Sequence, residues 1–301
     1  MKPLTSGISS LIGNTPLIKL SRVTQHLDRQ VEVFAKAEWF NPSGSVKDRA
    51  AWNIMRTALE AGQLTSDKVL LDATSGNMGI AYAMLGASLG IRVKLCVPAN
   101  ISPERKVILG AYGAEMVFTD PMSGSDGAIA KARELNAAQP DLYFYANQYD
   151  NAANWRAHYE GTAEEIWRQT DGRITHFVTG LGTSGTFIGT TRRLKELNPA
   201  IRCISLQPDT PLNAIEGWKH MPTAIRPGIY DSDLADENIE IETEEAQYLA
   251  RRLAREEGIF ISPSSGAAAA GALGVAESLT EGVVVTLFAD AGYKYMSERF
   301  W

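Results

Sequence analysis

Apolar, β-branched runs recur along the chain at 31–38 (VEVFAKAE), 68–75 (KVLLDATS), 92–99, 115–120, 142–148, 174–181, 201–208 and 283–290. They are short and do not alternate strictly with polar residues, which predicts strands buried on both faces, as in parallel sheets. Between them the apolar spacing turns helical. KDRAAWNIMRTALEAG stops at Gly62 and TEEAQYLARRLAREEG at Gly258, both suited to helix C-caps. NMGIAYAMLGASLG, PERKVILGAYG and SDGAIAKARELNAAQ fill further gaps. Strand–helix alternation of this kind predicts an α/β fold with right-handed crossovers.

Composition narrows the partners. The 301 residues are 45% hydrophobic and 21% charged, with a net charge of −6 and no block of like charges. This disfavours nucleic acid and anionic membrane surfaces as partners. No window is long and apolar enough to span a membrane, and the first residues carry no signal-peptide pattern, so a cytoplasmic location is expected. Cys96 and Cys203 lie inside apolar runs and read as reduced, buried thiols. The four histidines (His26, His158, His176, His220) show no metal-ligand spacing, and no metal is expected.

Four loops of small residues fall where strands end and helices begin: NPSGSVKD, ATSGNMG, GLGTSGT and SPSSGAA. That edge of an open α/β sheet is where ligands bind. Any one loop alone is compatible with a structural turn; four together favour one polar ligand gripped from several sides. GLGTSGT is not a Walker A sequence. It contains G-x-G-x-x-G but lacks an acidic ribose anchor, which disfavours a nicotinamide dehydrogenase. Lys47 opens a predicted helix, where the helix dipole disfavours an ammonium by up to ~1 kcal/mol. It reads either as a solvated side chain or as an amine of lowered pKa, suited to a Schiff base. A carbonyl cofactor that is also anionic needs both a lysine and a phosphate cradle, and pyridoxal phosphate meets both requirements.

NPSGSVKDR (41–49), TSGNMG (74–79), GLGTSGT (180–186) and SPSSGAA (262–268) resemble, in order and spacing, the motifs of fold type II pyridoxal-phosphate enzymes. GNTPL (13–17), NQYDNAANWRAHY (147–159) and ADAGYKY (289–295) extend the resemblance over nearly the whole chain, nearest to cysteine synthases (O-acetylserine sulfhydrylases) of the B type. The resemblance implies two open, twisted, mainly parallel sheets with flanking helices and the cofactor in the cleft between domains. It implies a smaller α/β domain over 40–146 and a larger, phosphate-binding domain from 1–39 plus 147–301. Lys47 would carry the cofactor as a Schiff base and then act as general base. Gly182, Thr183, Ser184, Gly185 and Thr186 would hold its phosphate, Asn77 its phenolic oxygen and Ser264 its ring nitrogen. Thr74, Ser75, Gly76, Asn77, Met78 and Gln148 would meet the substrate and its α-carboxylate. The implied reaction is β-replacement: an O-activated serine (O-acetyl or O-phospho) loses its leaving group to give an α-aminoacrylate, and a sulfur donor adds to give L-cysteine. A homodimer is the family expectation.

The chain departs from the family pattern in places. Met78 stands where Thr is usual, Ala152 where Pro is common, and Ser262-Pro263 where Gly and a small residue precede Ser264. The segment 212–230 is of the type that covers the site. Lys219 lies near the position where relatives that accept O-phosphoserine place an arginine, and it reads as a leaving-group contact or a solvated lysine. Only eleven residues follow Asp290, so no long C-terminal lid is expected. β-Replacement with another nucleophile, a serine/threonine dehydratase and a non-catalytic homologue remain as alternatives.

Overall fold

The computed structural model describes residues 7–74 and 76–301. Among them, ten strands form two sheets. The larger contains β1 (Leu17–Leu20), β2 (Val31–Ala37), β7 (His176–Gly180), β8 (Arg202–Pro208), β9 (Glu237–Ile241) and β10 (Gly282–Phe288), in the order β1-β2-β10-β7-β8-β9. Its pairs are parallel except β1 with β2. The smaller sheet is all parallel, in the order β5 (Glu115–Thr119), β4 (Arg92–Pro98), β3 (Val69–Ala73), β6 (Tyr143–Tyr145). The eight apolar runs each coincide with one of these strands. β3 is buried at every residue, as strands covered on both faces should be.

Helices account for that burial. Over the smaller sheet lie α1 (Lys47–Glu60), α2 (Asn77–Leu89), α3 (Pro103–Ala111) and α4 (Gly124–Ala138). Ile54, Met55, Ile80, Leu85, Leu95 and Leu109 share one core there, while Ala128, Ile129 and Ala132 of α4 pack with Leu71 and Cys96 in another. Around the larger sheet lie α5 (Ala152–Ala157), α6 (Ala163–Gln169), α7 (Gly185–Leu197), α8 (Thr243–Glu256) and α9 (Pro263–Glu277). One core joins α8 and α9 to Val33, Val178, Ile204 and Val284; another joins α6 and α7 to Phe177, Cys203 and Val285. Gly62 and Gly258, beyond the ends of α1 and α8, have φ of +67° and +70°, the left-handed backbone expected of helix-ending glycines. Both cysteines are free and buried, and burial pushes each thiol up to about 11, so neither is a ready nucleophile. No helix among the described residues is long and apolar enough to cross a membrane.

The first turn of α1 is held by a buried ionic network. Arg49 donates to Glu38 (2.7 and 2.9 Å) and to Glu165 (2.7 and 2.8 Å). Lys36, on β2, donates to Glu165 (2.6 Å), to the Thr15 carbonyl (2.6 Å) and to Gln169 (3.0 Å). Two cations and two anions are thereby balanced with almost no solvent contact. The GNTPL segment completes the network: Thr15 Oγ1 donates to Glu38 (2.7 Å) and the Asn14 N–H to Glu165 (2.9 Å). Burial opposes ionisation of Glu165, but Arg49 and Lys36 outweigh it and hold the carboxyl at about 2.

A carboxyl held below its ordinary value near 4.5 contributes stability that is complete above that pH and is lost as pH falls towards 2. Glu165→Gln, which leaves buried cations underpaired, should cost about 3–5 kcal/mol at pH 7. Urea unfolding of the cofactor-free protein should show this deficit shrinking between pH 5 and pH 3. A deficit below about 0.5 kcal/mol at pH 7, the usual size of a surface substitution, would mean that the network does not anchor α1.

Candidate active site

The carboxyl ends of β3, β7 and β10 face one cleft, where the N-termini of α1, α2, α7 and α9 also meet. Lys47 lines it as the first residue of α1. The loop before it is closed onto the helix: the Ser43 N–H donates to Asp48 Oδ2 (2.7 Å) and the Ser43 hydroxyl to Asp48 Oδ1. The Val46 N–H donates to the Ala289 carbonyl (2.9 Å), tying the same loop to the end of β10. Burial lowers the pKa of the Lys47 ammonium, opposed in part by the Asp290 carboxylate. The amine is thus biased towards its neutral, nucleophilic form.

Thr183, Ser184 and Gly182 line the cleft, and Gly185 opens α7, whose first turn carries no acidic residue. A Cβ on Gly182 would lie 2.2 Å from the Gly217 carbonyl, and one on Gly185 2.0 Å from Asn154 Oδ1. Only glycine lets these backbones approach so closely. Ser184 adopts φ +67°, costly for a residue with a Cβ. Its hydroxyl is buried without a protein partner among the described residues. Thr183 Oγ1 accepts from Asn154 Nδ2 (3.0 Å) and from the Gly185 N–H (3.4 Å). Behind the loop, His158 bridges Thr162 (2.9 Å) and Thr186 (3.3 Å) from a π-helical turn, His158–Thr162. Burial, reinforced by Arg49 and Lys47, keeps this imidazole neutral.

At the N-terminus of α2, Thr74 Oγ1 accepts from the N–H groups of Gly76 (3.0 Å) and Gly79 (3.2 Å), so its hydroxyl organises the turn. Asn77 and Met78 line the cleft; Met78 is also part of the core beneath α2. Ser75, expected at the substrate carboxylate, lies outside the described residues. Gln148 is buried, donates to the Ala73 carbonyl (2.6 Å) and reaches the cleft wall. Ser264, in the first turn of α9, shares a hydrogen bond with Ser262 (3.1 Å), and Ser262 caps the helix through the Ser265 N–H (3.2 Å). Lys219 lines the cleft but is not solvated: it is 6% exposed, pairs with Asp126 (2.7 Å) and lies over the Tyr149 ring (5.0 Å).

Several residues were not singled out from sequence. Arg105 of α3 pairs with Glu216 and stacks on the Tyr295 ring at 4.7 Å, closing one side of the cleft. Asp290, Lys294 and Tyr295 contact Asn77 or one another. The quoted ADAGYKY segment contains Asp290, Lys294 and Tyr295, but nothing in its spacing assigned them contacts.

The family model for pyridoxal-phosphate dependent enzymes matches residues 8–290, and the chain belongs to that family. Within it, a cysteine synthase of Aquifex aeolicus is 50% identical, covering 96% of this chain and 90% of that protein. Cysteine synthase B of Escherichia coli is 43% identical, covering 97% and 95%. A crystal structure of O-ureido-L-serine synthase superposes with a TM-score of 0.91 at 35% identity, covering 99% of this chain and 95% of that one. The protein is therefore a fold type II, pyridoxal-phosphate-dependent enzyme of the β-replacement type. The residues present suit the cofactor. A helix N-terminus free of carboxylates, an orphaned buried serine hydroxyl and two close-approach glycines fit a phosphate, and a lysine of lowered pKa stands in the same cleft.

Inorganic phosphate at millimolar concentration should raise the melting temperature of the cofactor-free protein by mass action. Gly182→Asp should abolish that rise, because a carboxylate would occupy the loop. An undiminished rise in the variant would place the anion elsewhere.

Proposed function

We propose that this enzyme makes L-cysteine from an O-activated L-serine and a sulfur donor, and that the activating group is acetyl rather than phosphoryl. The observation that carries the reading is Lys47 standing at a helix start in the same cleft as the α7 N-terminus, Asn77 and Ser264. When bound, pyridoxal phosphate supplies an electron-withdrawing ring that acidifies the substrate Cα–H and lets the β-substituent leave. Lys47 would hold the cofactor and, as a free amine, would take up the substrate Cα proton at Nζ. The amides of Gly182–Thr186 with the Thr183, Ser184 and Thr186 hydroxyls hold the phosphate.

Ser264 would meet the ring nitrogen with a neutral hydroxyl rather than a carboxylate, a partner that suits elimination over transamination. Thr74, Ser75, Gly76 and Asn77 receive the substrate carboxylate, with Gln148 from beyond β6 helping and Met78 beside them. In this reading the chain divides into a smaller unit over 40–146 and a larger one from 1–39 plus 147–301. Movement of the smaller unit over bound substrate excludes water.

The leaving group is read from Lys219. Its charge is already compensated by Asp126, so a phosphoryl dianion would compete with a carboxylate for it. O-Acetylserine should therefore exceed O-phosphoserine in kcat/KM by at least about tenfold. Asp126→Asn should narrow the gap by about tenfold, the worth of one charge-assisted hydrogen bond. An unchanged ratio in the variant would remove Lys219 from the leaving-group site.

Product analysis tests the reaction itself. With O-acetylserine and sulfide, the holoenzyme should release cysteine, with pyruvate at most a minor product. Pyruvate as the main product would identify a dehydratase-like activity. Failure of sulfide to compete with an amine or hydroxylamine-type nucleophile would assign the replacement step to another acceptor.

A further inference from the structure

The ADAGYKY segment, beyond β10, places a hydrogen-bonded group directly behind Asn77. Lys294 Nζ donates to Asn77 Oδ1 (2.8 Å) and to the Gly44 carbonyl (3.3 Å). Asp290 Oδ2 accepts from Asn77 Nδ2 (2.9 Å) and from the Tyr295 hydroxyl (2.9 Å). Asp290 is fully buried and Lys294 is 9% exposed, so water cannot substitute freely for either partner.

The two ends of an asparagine amide are alike in shape but opposite in chemistry. An ammonium can only donate, and an ionised carboxylate can only accept. Lys294 therefore demands the carbonyl end of Asn77, and Asp290 demands the amino end. Rotating the amide by half a turn would set NH₂ against NH₃⁺ and oxygen against carboxylate, replacing two charge-assisted hydrogen bonds with two repulsions. Asp290 uses one N–H of the amide. Asn77 lines the cleft, and the second N–H is the donor it has left to offer there.

We infer that Lys294, together with Asp290, is a positioning residue that fixes the Asn77 amide as a donor into the cleft, directed at the cofactor's phenolic oxygen. The inference rests on the reading that Asn77 meets that oxygen. Lys294 makes a longer bond to the Gly44 carbonyl (3.3 Å), in the loop that precedes Lys47, but Ser43–Asp48 and Val46–Ala289 already hold that loop, so the amide is what Lys294 chiefly fixes. Without Lys294 the amide loses the charge-assisted bond that opposes the flipped orientation, in which its carbonyl would meet an oxygen anion. The loss is then read as cofactor affinity, and catalysis follows from it.

The test is equilibrium binding of pyridoxal phosphate to apoprotein, with melting temperatures of the apoproteins recorded alongside. Lys294→Met should weaken cofactor binding about tenfold and Asn77→Ala at least as much, the range of one hydrogen bond to a charged group. In the Asn77→Ala background, Lys294→Met should cost no more than about twofold, because the amide it orients is gone. Lys294→Arg should bind within about threefold of the unaltered protein. Lys294→Ser, too short to reach Asn77, serves the same cycle if the Met variant does not fold. Equal losses with and without Asn77, or no loss for Lys294→Met, would overturn the inference. Unchanged affinity in Asn77→Ala would instead overturn the reading of Asn77 as a cofactor contact.

Discussion

Arg49 holds Glu38 and Glu165 at once, and the geometry of the site follows from that pairing. The body of α1 packs in the core of the smaller sheet, through Ala50, Ala51, Ile54, Met55 and Ala58. Its first turn is instead bonded to the end of β2 and to α6, both on the larger sheet. A buried charge with one partner removed is strongly destabilising, so the helix has one place to start. Lys47 lies two residues before Arg49. Its amine is thus fixed at the seam of two cores, where burial and the helix N-terminus both work against the ammonium form.

With that start fixed, each end of the cleft acquires a different electrostatic character. The α7 end offers backbone N–H groups and hydroxyls with no carboxylate in the first turn. The α9 end offers a neutral serine hydroxyl. Between them, Asn77 is held by a cation on one side and a carboxylate on the other. Such an arrangement suits a ligand that is dianionic at one end, weakly basic at the other and oxyanionic at its edge. The departures from the family pattern sit around this frame. Ser262 acts as the N-cap of α9, and Met78 fills the core under α2 while touching the cleft.

What sequence made legible was whatever is local. Strands buried on both faces, helices ended by Gly62 and Gly258, and loops of small residues at strand ends each carry their signal within a few residues. β1 and β9 escaped because they are short edge strands: Leu17–Leu20 is four residues long, and Glu237–Ile241 is mostly exposed and polar. The GNTPL segment was visible as a motif, but its work depends on Glu165, some 150 residues away. Lys294 meets Asn77 across a separation of 217 residues, and Arg105 meets Glu216 across 111. No periodicity reports such contacts. Lys219 was open to two readings because a lysine's solvation is decided by its neighbours, and the neighbour here is Asp126 on α4.

In the proposed reading, four loops from two sheets form one site for one cofactor, with Lys47 as its point of attachment. A crystal structure of the holoenzyme tests it most directly. It should show continuous density from Lys47 Nζ to the cofactor, the phosphate against the amides of residues 182–186, the ring nitrogen at Ser264 and the phenolic oxygen at Asn77. Attachment to another lysine, or a phosphate bound away from the N-terminus of α7, would contradict the account.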